Sequence, residues 1–280
     1  MPRLLPAPRM AQTVSDGEPF TVIEAADDER LTPFRLKERG LASRADKRDD
    51  AGAGLFLAEG DLVVERALAA GCRPVAALAD GERVPPVAHA LAALGVDVLV
   101  GGAEIRRLVT KLGMPQAIVA LFARPPRPEA SALIAASTRL VVVEGVDNPS
   151  NIGSIVRNAA ALGWNGLLLD HTSADPLSRR ALRVAMGTAF TLPHARTRTL
   201  LDELSAAGDL DLYALTPDPS AVDIRTVDPE GRRAVVIGAE RSGLSTGVLD
   251  ACVRVRIPMA TGVDSLNAAA AAAVACYALA

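Results

Sequence analysis

Three stretches of this chain carry polar side chains of the kinds that orient a hydroxyl, accept its proton or clamp an oxyanion. Asn151 closes the loop Asp147-Asn148-Pro149-Ser150-Asn151, and Arg157 follows six residues later. Glu240 is bracketed by Gly238 and Gly243 in the loop Gly238-Ala239-Glu240-Arg241-Ser242-Gly243-Leu244. Ser265 and Asn267 come after Ile257-Pro258-Met259, with Leu266 between them. Each has an ordinary reading when taken singly. Asn151 and Ser265 are good helix N-caps, a lone helical Arg such as Arg157 is usually solvated, and a short Gly-bracketed loop is usually a turn.

What joins the three stretches is the type of element before and after each. Leu140–Val146 and Ala234–Ile237 are continuous apolar runs, and residues 253–258 alternate up to Pro258. All three read as strands that end in a polar loop before a helix. The second half of the chain alternates in this way throughout, with strands expected near 140–146, 166–170, 212–216, 234–238 and 253–258. Such alternation implies an α/β fold, a mostly parallel sheet with helices on both faces, whose ligand-binding loops gather at the carboxyl ends of the strands. The last helix, opened by Ser265-Leu266-Asn267, is almost all Ala and Val and is expected to be buried on most of its surface.

The first half reads as a smaller α/β domain. Strands are expected at 55–60, 75–79, 96–100 and 117–122, and helices at 62–70, with Asp61 as a cap, 87–94 and 104–110. Residues 1–17 read as a disordered tail, 18–122 as the N-terminal domain, 123–135 as a Pro-rich linker and 136–280 as the second domain. A mixed-charge segment holding Arg35, Lys37, Arg39, Arg44, Lys47 and Arg48 is either a solvated helix and loop or a basic rim for phosphates.

Composition narrows the classes. Of the 280 residues, 50% are hydrophobic and only 3% aromatic, so the core must be built of Ala, Val and Leu. The formal net charge of −3 argues mildly against nucleic acid unless a local basic patch supplies the contact. The densest such patch is Arg179, Arg180 and Arg183, with Arg196 and Arg198 further on; its ordinary reading is a solvated helix face. The three cysteines (Cys72, Cys252 and Cys276) lack metal-ligand spacing and read as packing residues in a reducing compartment. Trp164 reads as packing, and neither His171 nor His194 is given a catalytic role. With no signal peptide and no plausible membrane span, a cytoplasmic protein is expected.

In order and spacing, the three loops resemble the three signature motifs of the SpoU (TrmH-like) class of SPOUT RNA methyltransferases. The resemblance rests on NPSNIGSIVRNAAALG, on GxExxGL at Gly238–Leu244 and on Ile257–Asn267, and it covers residues 138–280. It implies S-adenosyl-L-methionine as methyl donor, no metal, and a ribose 2′-hydroxyl of RNA as acceptor. By residue match it implies a catalytic set of Asn151, Arg157, Glu240, Ser265 and Asn267. It also implies a donor site of Gly238, Glu240, Gly243, Ile257, Met259 and Leu266, while the density of basic charge, and not the resemblance, makes Arg179, Arg180 and Arg183 the candidates for RNA contact. A C-terminal trefoil knot and a homodimer are further implications. LFLAEGDLVVERALAAG is similar to the opening of the RNA-binding substrate domain found in many relatives. The chain departs from the usual pattern at Arg241, where many relatives have Gly.

In-line transfer of a methyl group to a ribose 2′-hydroxyl requires the hydroxyl to be oriented or deprotonated. Arg is an awkward base, its pKa lying above about 12, so Arg157 either activates the hydroxyl or clamps the neighbouring phosphate, and Glu240 is the alternative proton acceptor. Relatives with an extra N-terminal α/β domain often modify large-subunit rRNA and stand-alone relatives often modify tRNA, so the resemblance implies rRNA, with tRNA as the alternative. A non-catalytic RNA-binding assembly factor would show damage among the five catalytic-set residues, and all five are intact. A nucleotide-dependent oxidoreductase would show GxGxxG after a first strand, and this chain has none.

Overall fold

A computed structural model describes residues 19–41, 54–111 and 114–280. The expected 1–17 tail and Arg44, Lys47 and Arg48 of the basic segment lie outside these residues. The chain forms two compact units that divide between Pro125 and Pro126.

The first unit contains β1 (Phe20–Val22), α1 (Glu38–Leu41), β2 (Leu55–Glu59), α2 (Asp61–Ala69), β3 (Pro74–Asp80), α3 (Pro86–Ala93), β4 (Asp97–Gly101), α4 (Ala103–Thr110) and β5 (Ile118–Ala123). Its sheet has the order β1-β4-β3-β5-β2. β1 and β3 run parallel to β4, whereas β2 and β3 run antiparallel to β5. The cap of α2 is Gly60 at φ 86°, not Asp61. Asp61 is the first helical residue, where its charge faces the positive end of the helix. The buried Arg106 holds this unit's loops together: it pairs with Asp80 at 2.7 Å and donates to the carbonyls of Gly101 and Gln116.

The second unit contains α5 (Ala130–Ala136), β6 (Arg139–Glu144), α6 (Pro149–Ala161), β7 (Gly166–Asp170), α7 (Arg179–Ala185), β8 (His194–Thr197), α8 (Leu200–Ser205), β9 (Asp211–Leu215), β10 (Val222–Asp223), β11 (Arg233–Gly238), α9 (Thr246–Asp250), β12 (Val253–Arg256) and α10 (Ala268–Ala278). Helix α5 occupies ground assigned to the 123–135 linker, because Ala130, Leu133 and Ile134 are apolar on one face and bury it. The extended piece is correspondingly shorter.

All seven strands of this sheet are parallel, in the order β10-β12-β9-β11-β6-β7-β8. The strand side chains show why both faces are covered. Leu140, Val142, Leu168, Ala214, Ala234 and Val236 join a core with Leu133, Ile134, Leu200, Leu204 and Val248 of α5, α8 and α9. The alternate residues Val141, Val143, Leu167, Leu169, Val235 and Ile237 point to the other face, and these too are buried. That face carries α6 and α10, which pack against each other, with α10 also lying on β11. Strands buried on both sides read as continuous apolar runs, as parallel strands do.

Helix α10 is less enclosed than its composition suggests. Ala268, Ala269, Ala272, Ala275 and Cys276 are buried, but Ala270, Val274 and Tyr277 form an exposed stripe. Its last turn is secured from neighbouring elements: Trp164 Nε1 donates to the Cys276 carbonyl at 2.9 Å, and Arg233 Nε to the Leu279 carbonyl at 2.6 Å. These two bonds satisfy carbonyls that a helix end leaves without partners. Among the described residues, no helix is long and apolar enough to cross a membrane.

Candidate active site

Helix α6 begins where an Asn-Pro pair allows it. Asn148, not Asn151, is the cap, its side chain accepting from Ser150 N at 2.9 Å, and Pro149 takes the first helical position. Asn151 is therefore released from capping. Only 6% exposed, it uses both ends of its amide. Its Nδ2 donates to Glu240 Oε1, and its Oδ1 accepts from Asn267 Nδ2 at 3.1 Å. One side chain of the first loop thus ties the second loop to the third.

Asn267 is likewise the cap of α10, accepting from Ala269 N at 2.9 Å and from Ala270 N at 3.3 Å. Ser265, the expected cap, lies in the exposed loop before it. The same Asn267 amide can cap its own helix and reach Asn151 because its oxygen and nitrogen face different partners. Asn158, one turn beyond the middle of α6, adds a bond from its Nδ2 to the Ala269 carbonyl at 3.2 Å.

The second loop is a tight turn. Gly243 N donates to the Ala239 carbonyl at 3.0 Å, and Gly243 has φ 65°, which favours glycine. Gly238 is needed for a different reason: a Cβ there would lie 2.4 Å from the Gly243 carbonyl carbon.

Two cavities take lining residues from the start of α10. The first, of about 330 Å³, is lined by Gly238–Leu244, by Ile257 and Met259, and by Ser265, Leu266 and Ala268. It also takes Leu215, Thr216 and Pro217 from the end of β9. Those three were not singled out in the sequence, although a strand's carboxyl end in a parallel sheet is where such residues belong. The second cavity is lined by Ser154, Arg157 and Asn158 of α6, Val184 of α7, and Asn267, Ala269 and Ala270. Arg157 is exposed and makes no hydrogen bond or ion pair among the described residues. The candidate donor residues Gly238, Glu240, Gly243, Ile257, Met259 and Leu266 thus share one cavity with Ser265, while Arg157 and Asn267 share the other.

The basic cluster divides. Arg180 and Arg183 of α7 are exposed and Arg179 is half-buried. Arg180 Nε also donates to Ser150 Oγ at 2.5 Å, next to the first loop. Arg196 is not free for phosphate: its Nη1 donates to the carbonyls of Asp170 and Ser173, both at 2.8 Å, and its Nη2 to that of Ala174. Burial pushes the thiol of Cys276 up to about 12, and burial together with Glu144 pushes that of Cys252 up to about 11. Both therefore stay protonated at neutral pH and act as packing groups. No group of His, Cys, Asp and Glu among the described residues could hold a metal ion.

The turn cavity lies at the carboxyl ends of β9 and β11 in a parallel sheet, the usual place of a ligand site in an α/β protein. Residues 138–277 match the model of the SpoU rRNA Methylase family. An uncharacterized tRNA/rRNA methyltransferase of Mycobacterium tuberculosis is 37% identical over 90% of this chain and 88% of its own length. The 23S rRNA (guanosine(2553)-2′-O)-methyltransferase RlmP of Bacillus subtilis is 26% identical over 82% of this chain and 90% of its own. Among solved structures, the AdoMet-bound rRNA methyltransferase of Sinorhizobium meliloti superposes with a TM-score of 0.78, at 26% identity over 93% of this chain and 97% of that one. The SpoU methyltransferase AviRb of Streptomyces viridochromogenes, in complex with AdoMet, gives 0.74 at 26% identity over 90% and 96%. The chain belongs to the SpoU rRNA Methylase family and is an RNA methyltransferase.

Proposed function

We propose that this enzyme transfers a methyl group from S-adenosylmethionine to a ribose 2′-hydroxyl of ribosomal RNA. The observation that carries the reading is that consecutive residues at the start of α10 line two cavities. Ala268 lines the one and its chain neighbour Asn267 the other, which supports seating a donor and an acceptor close together.

The first cavity suits the donor. Its volume lies in the range of small-molecule sites, Ile257, Met259, Leu266 and Leu249 offer apolar surface for an adenine, and the missing Cβ at Gly238 leaves the turn its close fit. The bound donor supplies an electrophilic methyl on a sulfonium. The oxygen–methyl bond forms as the sulfur–methyl bond breaks, the sulfur departs as a neutral thioether, and the hydroxyl proton passes to solvent water. Arg157 is the group for the acceptor. Its guanidinium is unpaired and always charged, so it clamps the phosphate beside the target ribose and fixes the hydroxyl's direction. Glu240 is already engaged by Asn151 through Oε1. Its role in this reading is to hold Asn151, and through it Asn267, in line with the donor turn. Ser265 lies beside the donor and closes the cavity with Leu266.

Arg179, Arg180 and Arg183 of α7 contact RNA phosphates, and the first unit adds further RNA-binding surface. The enzyme acts as a homodimer in the cytoplasm. The apolar stripe Ala270, Val274 and Tyr277 on α10, with Tyr277 76% exposed, supports a second copy, and the three free cysteines agree with a reducing compartment. The insertion of β12 between β9 and β10, with α10 returning to β11 and α6, is the kind of path a C-terminal knot requires.

Labelled methyl transfer to unmodified total rRNA and to unmodified total tRNA tests the reading. The expected product is a 2′-O-methyl nucleotide in rRNA alone. Label confined to tRNA would replace the substrate, and donor binding without transfer to either pool would favour a non-catalytic RNA-binding protein.

A further inference from the structure

We propose that Glu144 is a positioning residue for the donor cavity, acting through Ser245 on the turn Gly238–Leu244. The inference rests on the reading of that cavity as the donor site. Glu144 is the last residue of β6 and stands in register with Gly238, the residue that opens the turn on β11. Its side chain reaches the residue just after the turn: Oε2 accepts from Ser245 N at 2.8 Å, and Oε1 from Ser245 Oγ at 2.8 Å. A single residue therefore grips both ends of the turn, one by strand pairing and the other by a two-point carboxylate contact.

Neighbouring features show that the contact serves the turn rather than helix α9. Ser245 occupies the cap position of α9, yet its side chain makes no capping bond there and donates to Glu144 instead. Gly145, at φ 70°, brings the next residue close to the turn: a Cβ on it would sit 3.4 Å from the Ala239 Cβ. Within the turn, Gly238 already lies against the Gly243–Leu244 peptide. The turn is thus closed from inside by its glycines and from outside by Glu144. Glu144 lines neither cavity, so its effect on the donor passes entirely through the position of the turn backbone.

The test compares Glu144→Ala, Glu144→Gln, Ser245→Ala and the Glu144→Ala/Ser245→Ala double variant in the full chain. It measures donor Kd by calorimetry, separate KM values for donor and RNA, kcat at saturating donor, and Tm. Glu144→Ala is expected to raise donor Kd and KM roughly tenfold, the worth of a charged hydrogen bond pair, with RNA KM and saturated kcat within about twofold of wild type. Glu144→Gln should recover part of the loss through its remaining acceptor oxygen. The double variant should be no worse than Glu144→Ala, because both changes break the same contact. A lowered Tm with unchanged donor affinity would overturn the proposal and leave Glu144 a structural residue. So would a fall in kcat at constant donor KM. If Glu144→Ala does not fold, Glu144→Gln and Ser245→Ala decide by the same donor readout. Failure of wild-type protein to bind the donor would instead sink the assignment of the cavity itself.

Discussion

The two cavities at the start of α10 are built of different materials. The turn cavity is mostly backbone and apolar side chain, and its one carboxylate, Glu240, is already bonded to Asn151. The neighbouring cavity is made of helix faces and carries Arg157 with no partner among the described residues. A small ligand with one fixed shape is best met by a site that is finished beforehand, since ordering the site on binding would cost affinity. A polyanion brings its own charge, and the residue meant for it must be left uncommitted. On the proposed reading the contrast separates what holds a donor from what acts on an acceptor, and it can be broken at either side.

The largest effect is expected on the acceptor side. Arg157→Ala should lower kcat by roughly 10²-fold, the cost of a misplaced reacting group, while donor Kd by calorimetry stays unchanged. Parallel loss of donor affinity would mean that the two cavities are one energetic unit. Next comes the donor side. Gly238→Ala places a Cβ 2.4 Å from backbone that cannot step aside without moving the turn. Overpacking of that kind costs about 1–3 kcal/mol, which should appear as a roughly 5–150-fold weaker donor Kd at unchanged RNA affinity. A Gly238→Ala protein that binds donor normally would show that the turn is not part of the donor site.

Much of this arrangement was legible in the sequence, because parallel strands buried on both faces leave unmistakable apolar runs. At the mouths of those runs Asn151, Glu240 and Asn267 are joined by hydrogen bonds. What was not legible is how neighbouring polar residues share out the work. Asn148 and Asn151 are both competent caps, and Pro149 after Asn148 was the local signal in favour of the former. Ser265 and Asn267 are both competent caps as well, and here only the tertiary contact to Asn151 explains why Asn267 takes the position. Arg196 looked like a phosphate ligand because its three carbonyl partners lie 22–26 residues away in sequence. The strands β8 and β10 escaped notice because one is polar and the other is two residues long. In the first unit, alternation marked strands but not their direction, so the antiparallel pairing of β5 appears only in the fold.

The smallest expected effect sharpens the acceptor side of the comparison. If RNA phosphates run from the Arg157 cavity along α7, the exposed Arg180 and Arg183 contribute charge without touching the reacting atoms. Arg180→Ala and Arg183→Ala should each raise RNA KM severalfold, leave saturated kcat and donor KM unchanged, and reduce the dependence of log KM on log salt by about 0.7–1. Arg196→Ala serves as the internal contrast. Its guanidinium is spent on carbonyls, so its loss should lower Tm and leave the salt dependence as it was. A salt slope that responds to Arg196 but not to Arg180 or Arg183 would move the RNA path off α7 and onto the loops after β7 and β8. Arg157 would then meet its phosphate from the opposite side of the cavity.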